Sequence, residues 1–210
     1  MILSHKKKFI YIHVYKVAGT SIRSILQEYD DQSSADFPLI ENVKFFLGKR
    51  LNYFSKWAID HINAREIKSL LPEEVFNTYF KFAFVRNPWD WQVSLYHYML
   101  QYSKHPPHSL ISKMKSFDEY IEWRISSDME LQKDFLYDKN GKILVDYIGK
   151  FENLQDDFNI ICSKIPINYS KLPLANPSKH GHYKDYYNNH TKELIYKAFQ
   201  KDIEIFNYEF

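Results

Sequence analysis

Apolar residues along the chain fall into short dense runs and into stretches with helical spacing. Phe9-Ile-Tyr-Ile-His-Val14 is β-branched and aromatic and reads as a buried strand. Tyr15 to Ser21 then leads into Ile22, Ile25, Leu26 and Tyr29 at i, i+3, i+4 and i+7, the stripe of an amphipathic helix. Asp30 to Asp36 is polar and reads as a loop. Asn63-Ala-Arg-Glu66 has the spacing of a capping box and opens a helix toward Leu71, after which Pro72 can start a second short one. Phe80-Lys-Phe-Ala-Phe-Val85 predicts a second buried strand. A long helix follows, with Asn87 as its cap, Pro88 at its first position and an apolar stripe of Trp91, Leu95, Tyr98, Met99 and Tyr102.

Beyond that helix, residues 103–115 hold His105-Pro-Pro-His108 and read as a loop. Ser116-Phe-Asp-Glu119 is a second capping box, opening a helix through Trp123. Asp138-Lys-Asn-Gly141 marks a turn, and Ile143 to Ile148 reads as a strand. Asn153 caps a helix carrying Leu154, Phe158 and Ile161, and Lys171 to Asn188 reads as a long loop. The last helix begins near Thr191 and carries Leu194, Ile195, Ala198, Phe199 and Ile203. Strands separated by helices predict an α/β fold, a parallel sheet flanked by helices in three layers.

Length and charge narrow the picture. The 210 residues suit a single domain, 1–210, with a mostly helical insert at about 103–142. With 28 Lys+Arg against 26 Asp+Glu the net charge is only +2, too small for binding nucleic acid by bulk electrostatics. Any anion site is therefore local. Cys162 stands alone, which rules out an internal disulfide framework and a multi-cysteine zinc site. His180, His182 and His190 beside it follow no recognised zinc spacing. The longest uncharged apolar stretch, Phe9 to Tyr15, is far short of the ~20 residues that span a bilayer. Lys6-Lys7-Lys8 precedes it as in a signal peptide, yet the stretch is short, contains His13 and has no small-residue cleavage site. A soluble, cytoplasmic protein with no membrane span and no nucleic-acid partner is expected. Seventeen Tyr and sixteen Phe supply either a core with polar tips or a groove that stacks on bases or sugar rings.

Two strand ends carry chemistry. Lys16-Val-Ala-Gly19-Thr20-Ser21 lies between the first strand and its helix. Gly19 permits close backbone approach, Thr20 and Ser21 add hydroxyl donors to the first-turn N–H groups, and Lys16 adds a full charge. This is a phosphate cradle in physical terms, though not a Walker A loop, since its lysine precedes a lone glycine. Arg86 follows the second strand and Ser94 lies two turns into the next helix, so a second anion contact is placed beyond a strand's carboxyl end.

These segments resemble those of the sulfotransferases, in the branch of the Golgi carbohydrate enzymes and their bacterial relatives. His13 to Ser21 is similar to the family's 5′-phosphosulfate loop, and Phe84-Val-Arg-Asn-Pro-Trp-Asp-Trp-Gln-Val-Ser-Leu-Tyr96 to its 3′-phosphate motif. Asp146 to Leu154 resembles a third family segment, and Tyr183 to Phe210 resembles the family's C-terminal region. The resemblance implies a P-loop-like fold and transfer of a sulfuryl group from 3′-phosphoadenosine 5′-phosphosulfate (PAPS) to a hydroxyl or amine of a glycan or other small acceptor. Carried over by position, Lys16, Ala18, Gly19, Thr20 and Ser21 meet the 5′-phosphosulfate, and Arg86 and Ser94 hold the 3′-phosphate. Ala18 stands where many relatives have a second glycine, and its methyl is expected to narrow the loop slightly.

The chemistry asks for a cation at the leaving phosphate oxygen, where charge grows, and Lys16 is the candidate in the loop. No metal is expected. A base must accept the proton of a hydroxyl acceptor, and His61 in Ile59-Asp-His-Ile-Asn63 is the choice, with Asp60 the alternative. His13 reads as a core histidine, and His97 as structural. His180 to Tyr187 is expected to close over the nucleotide, with Lys179 or Lys184 adding a phosphate contact. Trp89 and Trp91 are adenine-stacking candidates, although Trp91 falls on the apolar stripe. Acceptor choice is assigned to the 103–142 insert, where Trp123, Arg124, Gln132 and Asp134 combine an aromatic face with sugar-binding groups. Rival readings are a kinase or hydrolase using ATP and magnesium, and a non-catalytic module that binds nucleotide or carbohydrate.

Overall fold

The computed structural model describes residues 1–30, 61–127, 129–169, 171–173 and 180–210. In chain order these form β1 (Ile2–Ser4), β2 (Phe9–Ile12), α1 (Gly19–Leu26), α2 (Ala64–Leu70), α3 (Glu73–Thr78) and β3 (Phe80–Val85). After these come α4 (Pro88–Gln101), α5 (His108–Ile111), α6 (Phe117–Ser126), β4 (Tyr147–Lys150), α7 (Leu154–Lys164), α8 (Asn189–Ala198) and α9 (Gln200–Phe206). The chain divides into two compact units, Met1–Val85 with Asp134–Ala175, and Arg86–Lys133 with Asn176–Phe210. The helical segment expected at about 103–142 falls in the second unit as far as Lys133. No described helix is long and apolar enough to cross a membrane.

The first unit is built on a sheet in the order β1-β2-β3-β4. β2, β3 and β4 run parallel, with Tyr11 opposite Phe82 and Phe82 opposite Tyr147, while β1 returns antiparallel to β2. The architecture is thus a mixed α/β fold with a mostly parallel sheet flanked by helices. Every residue of β1 and β2 is buried, which is why β2 reads as a continuous apolar run rather than an alternating one. β1 escaped the sequence reading because its hairpin turns through Lys8 at φ 52° with no Gly or Asn to announce it.

β4 lies further along than the apolar run suggested. Ile143 makes only an isolated bridge to Tyr137, and pairing with β3 starts where Asp146 donates its N–H to the Lys81 carbonyl at 2.8 Å. The strand then continues through Gly149, where an added Cβ would fall 2.4 Å from the Phe84 ring. The bare backbone there is what lets a phenylalanine of β3 lie flat on its neighbour. Other local signals act as read: Asn63 and Glu66 form both bonds of a capping box, and Gly141 takes φ 80° in the turn that Asp138 organises. Asn153 sits at the cap of α7 but makes no side-chain cap bond.

In the second unit α4 is buried on more than the predicted stripe. Trp89, Trp91, Gln92, Val93, Ser94, Leu95 and Met99 are all inside, while Tyr102 is exposed. Asn87 caps it, accepting from the Trp89 N–H at 3.0 Å, and Pro88 holds its first position. Residues 103–115, read as loop, contain the short α5, and the final helix is broken at Phe199 into α8 and α9.

Candidate active site

β2 ends at Ile12, and the loop that follows is bent by two left-handed residues, Lys16 and Ala18, both at φ 63°. Left-handed residues in a turn can direct peptide N–H groups toward a concave side, a geometry suited to anions. The loop delivers the chain to α1, whose N-cap is Ala18 and which no side chain caps. The positive end of the α1 dipole, the Lys16 charge and the hydroxyl of exposed Thr20 therefore share one loop, with Ser21 buried behind them.

The two small residues of this loop are needed for separate reasons. A Cβ on Gly19 would fall 1.7 Å from Nε2 of His13, so the glycine leaves room for a histidine ring. At Ala18 the burden is torsional, since the left-handed region costs an L-residue about 1–2 kcal/mol. Ala18→Gly is expected to raise the free energy of unfolding by about 0.5–1 kcal/mol in urea titration, the backbone relief being offset in part by glycine's freedom in the unfolded chain.

His61 is set against this loop. Its Nδ1 lies 3.1 Å from the carbonyl oxygen of His13, its ring centroid is 4.5 Å from that of His13, and Tyr15 meets it edge-on at 5.9 Å. A carbonyl oxygen only accepts, so Nδ1 carries the hydrogen and in the neutral ring the lone pair resides on Nε2. That is the tautomer a proton acceptor requires. His13, read from the sequence as a core histidine, is half-buried, stacks on Tyr11 at 5.7 Å, and touches both the loop glycine and His61. Its place as first residue of the loop motif was the signal that could have marked it. Asp60, the alternative base, lies outside the described residues, as does Lys179.

Arg86 and Ser94 belong to the second unit, and both are buried. The Arg86 Nε donates to Asp90 Oδ2 at 2.7 Å, one helical turn on, which fixes the plane of the guanidinium. Gln132 was read as an acceptor-binding residue, but it is fully buried and its amide is spent on the Arg86 backbone, accepting from N–H and donating to C=O, each at 2.8 Å. Arg124 is also buried, its Nε 3.3 Å from Gln92 Oε1, which accepts from Tyr120 as well. Trp123 lines an open groove of about 540 Å³ with Leu110, Lys113, Met114 and Glu122.

The other candidates make packing and hydrogen-bond contacts within the second unit. Trp91 is fully buried edge-on to Phe199, and Trp89 donates Nε1–H to the Lys192 carbonyl at 3.1 Å. Tyr183 to Tyr186 form a 3-10 turn tied to α4 by the Tyr186 hydroxyl, 2.8 Å from His97 Nε2, and by the Tyr187 hydroxyl, which donates to the Trp89 carbonyl at 2.9 Å. Lys184 extends over the Phe210 ring. Burial, with His180 stacked beside it, holds the His97 imidazole below its usual range and so neutral. Burial likewise pushes the Cys162 thiol up to about 12, which keeps it protonated and no nucleophile.

The first unit thus joins a mostly parallel sheet, a loop with two left-handed residues leading into α1 and a histidine set against that loop. The chain matches the sulfotransferase family over residues 1–209 and belongs to it. An uncharacterized protein of Archaeoglobus fulgidus is 29% identical over 110 residues, covering 47% of this chain and 78% of that protein. Human carbohydrate sulfotransferase 9 is 23% identical over 239 residues, covering 97% of this chain and 52% of the human one. The chain thus spans about half the length of that human relative.

Proposed function

We propose that this protein transfers a sulfuryl group from PAPS to a hydroxyl of a glycan or another small hydroxylated acceptor. The observation that carries the reading is the His61–His13 bond, which holds a histidine with its basic nitrogen at Nε2 beside the Lys16 loop in a chain of the sulfotransferase family. A relative named as a carbohydrate sulfotransferase favours a sugar hydroxyl as the acceptor.

In this reading the acceptor oxygen attacks sulfur in line as the bond from sulfur to the bridging phosphate oxygen breaks. His61 Nε2 takes the hydroxyl proton. The electron pair of the broken bond stays on the departing 5′-phosphate, where Lys16 and the N-terminal peptide groups of α1 meet the growing charge. Arg86 and Ser94 receive the 3′-phosphate, which distinguishes the donor from an ordinary adenine nucleotide.

Titration calorimetry tests this with 3′-phosphoadenosine 5′-phosphate (PAP), without metal, beside ATP with magnesium. PAP is expected to bind and ATP with magnesium to bind far more weakly. The reverse preference would instead support a kinase, and binding of neither would leave a module without this nucleotide.

A further inference from the structure

Arg86 stands one residue beyond the ladder that pairs Val85 with Lys150, so its peptide group lies where the sheet has stopped supplying partners. Gln132 takes over that duty. Its Oε1 accepts from the Arg86 N–H at 2.8 Å and its Nε2 donates to the Arg86 carbonyl at 2.8 Å. A primary amide presents an acceptor and a donor side by side in this way; an ionised carboxylate offers acceptors alone. Gln132 is itself held from behind. Its backbone N–H donates to Asp202 Oδ2 at 2.8 Å, and the Lys133 N–H to Oδ1 at 3.0 Å.

Both Gln132 and Asp202 are fully buried, so these bonds work in a low-dielectric setting where a lost partner leaves a costly unpaired group. Counting Asp90 on Nε, Arg86 is fixed at both ends of its peptide unit and at its guanidinium. The side-chain amide of Gln132 hydrogen-bonds Arg86 and no other described residue.

We infer that Gln132 is a positioning residue that aims Arg86 at the donor's 3′-phosphate, with Asp202 holding Gln132 in register. The inference rests on the reading of Arg86 as the 3′-phosphate contact. It assigns the preference for a 3′-phosphorylated nucleotide to two residues that do not touch the nucleotide.

The test compares PAP with AMP, which lacks the 3′-phosphate, by calorimetry on the unaltered protein, Gln132→Glu and Gln132→Leu. Gln132→Glu keeps the shape and the acceptor for the Arg86 N–H, so it carries the test should the leucine variant fail to fold. In both variants PAP affinity is expected to fall by about tenfold or more while AMP affinity holds, so the PAP-to-AMP preference collapses. A merely structural role for Gln132 would weaken both ligands together. An intact preference in folded variants overturns this inference alone. Absence of any preference in the unaltered protein overturns the 3′-phosphate reading of Arg86, and this inference with it.

Discussion

Lys16→Ala is expected to lower kcat by about 10²–10³-fold while changing PAPS affinity far less, because the lysine's charge is matched to an oxygen that becomes more negative only as the sulfur–oxygen bond breaks. Neither residue is glycine, so the left-handed backbone at φ 63° bears the same torsional cost before and after the change. A melting temperature close to that of the unaltered protein is therefore part of the expectation. Steady-state kinetics with PAPS check the rest. A rise in KM with kcat intact would make Lys16 a ground-state contact and move the transition-state role elsewhere in the loop.

His61→Ala is expected to cost about 10²–10⁴-fold in kcat, the range for removing a positioned general base. Nucleotide affinity should hardly move, since the group removed in this reading is a proton acceptor and not a phosphate contact. His61→Asn sharpens the comparison: its amide can still donate to that carbonyl, so the local fold is kept while the base is gone. Added imidazole restoring turnover to the alanine variant would identify the missing group as a base. Full activity in either variant would remove His61 from the chemistry and direct attention to the alternative, Asp60.

What the sequence disclosed were features settled within a few residues. The Asn63–Glu66 box, the Asn87 cap with Pro88, the Asp138–Gly141 turn and the extent of β3 all follow from local sterics and hydrogen bonding, and all stand where they were read. Lys16, Gly19 and His61 were likewise visible as residue types at strand and helix boundaries. Features fixed by distant partners were not. Gln132 looks in sequence like any exposed amide, yet its two partners are main-chain groups 46 positions away. Asp202 carries no local mark of its role, yet it accepts two main-chain hydrogens 69 and 70 positions back. β4 slid because the residue that begins its pairing is a charged one, Asp146, whose carboxylate accepts the Lys81 N–H at 2.7 Å. Ala18 was judged by the volume of its methyl when the governing quantity was a dihedral angle.

The ties that hold Arg86 also set an order of events during synthesis. Asn87, which caps α4, donates from its side chain to the carbonyl of Glu209 across 122 positions, and the Gln132 clamp waits on Asp202 across 70. A ribosome releasing this chain at about 5–20 residues per second exposes Arg86 several seconds before either anchor exists. The strand and helix on either side of Arg86 can form early from local contacts, but the buried polar chain around it closes only when the last helix has emerged. On the reading of Arg86 as the 3′-phosphate contact, a chain cut short between Lys133 and Asp202 would keep Lys16, Arg86, Ser94 and Gln132 yet lack the carboxylate that holds Gln132 in register.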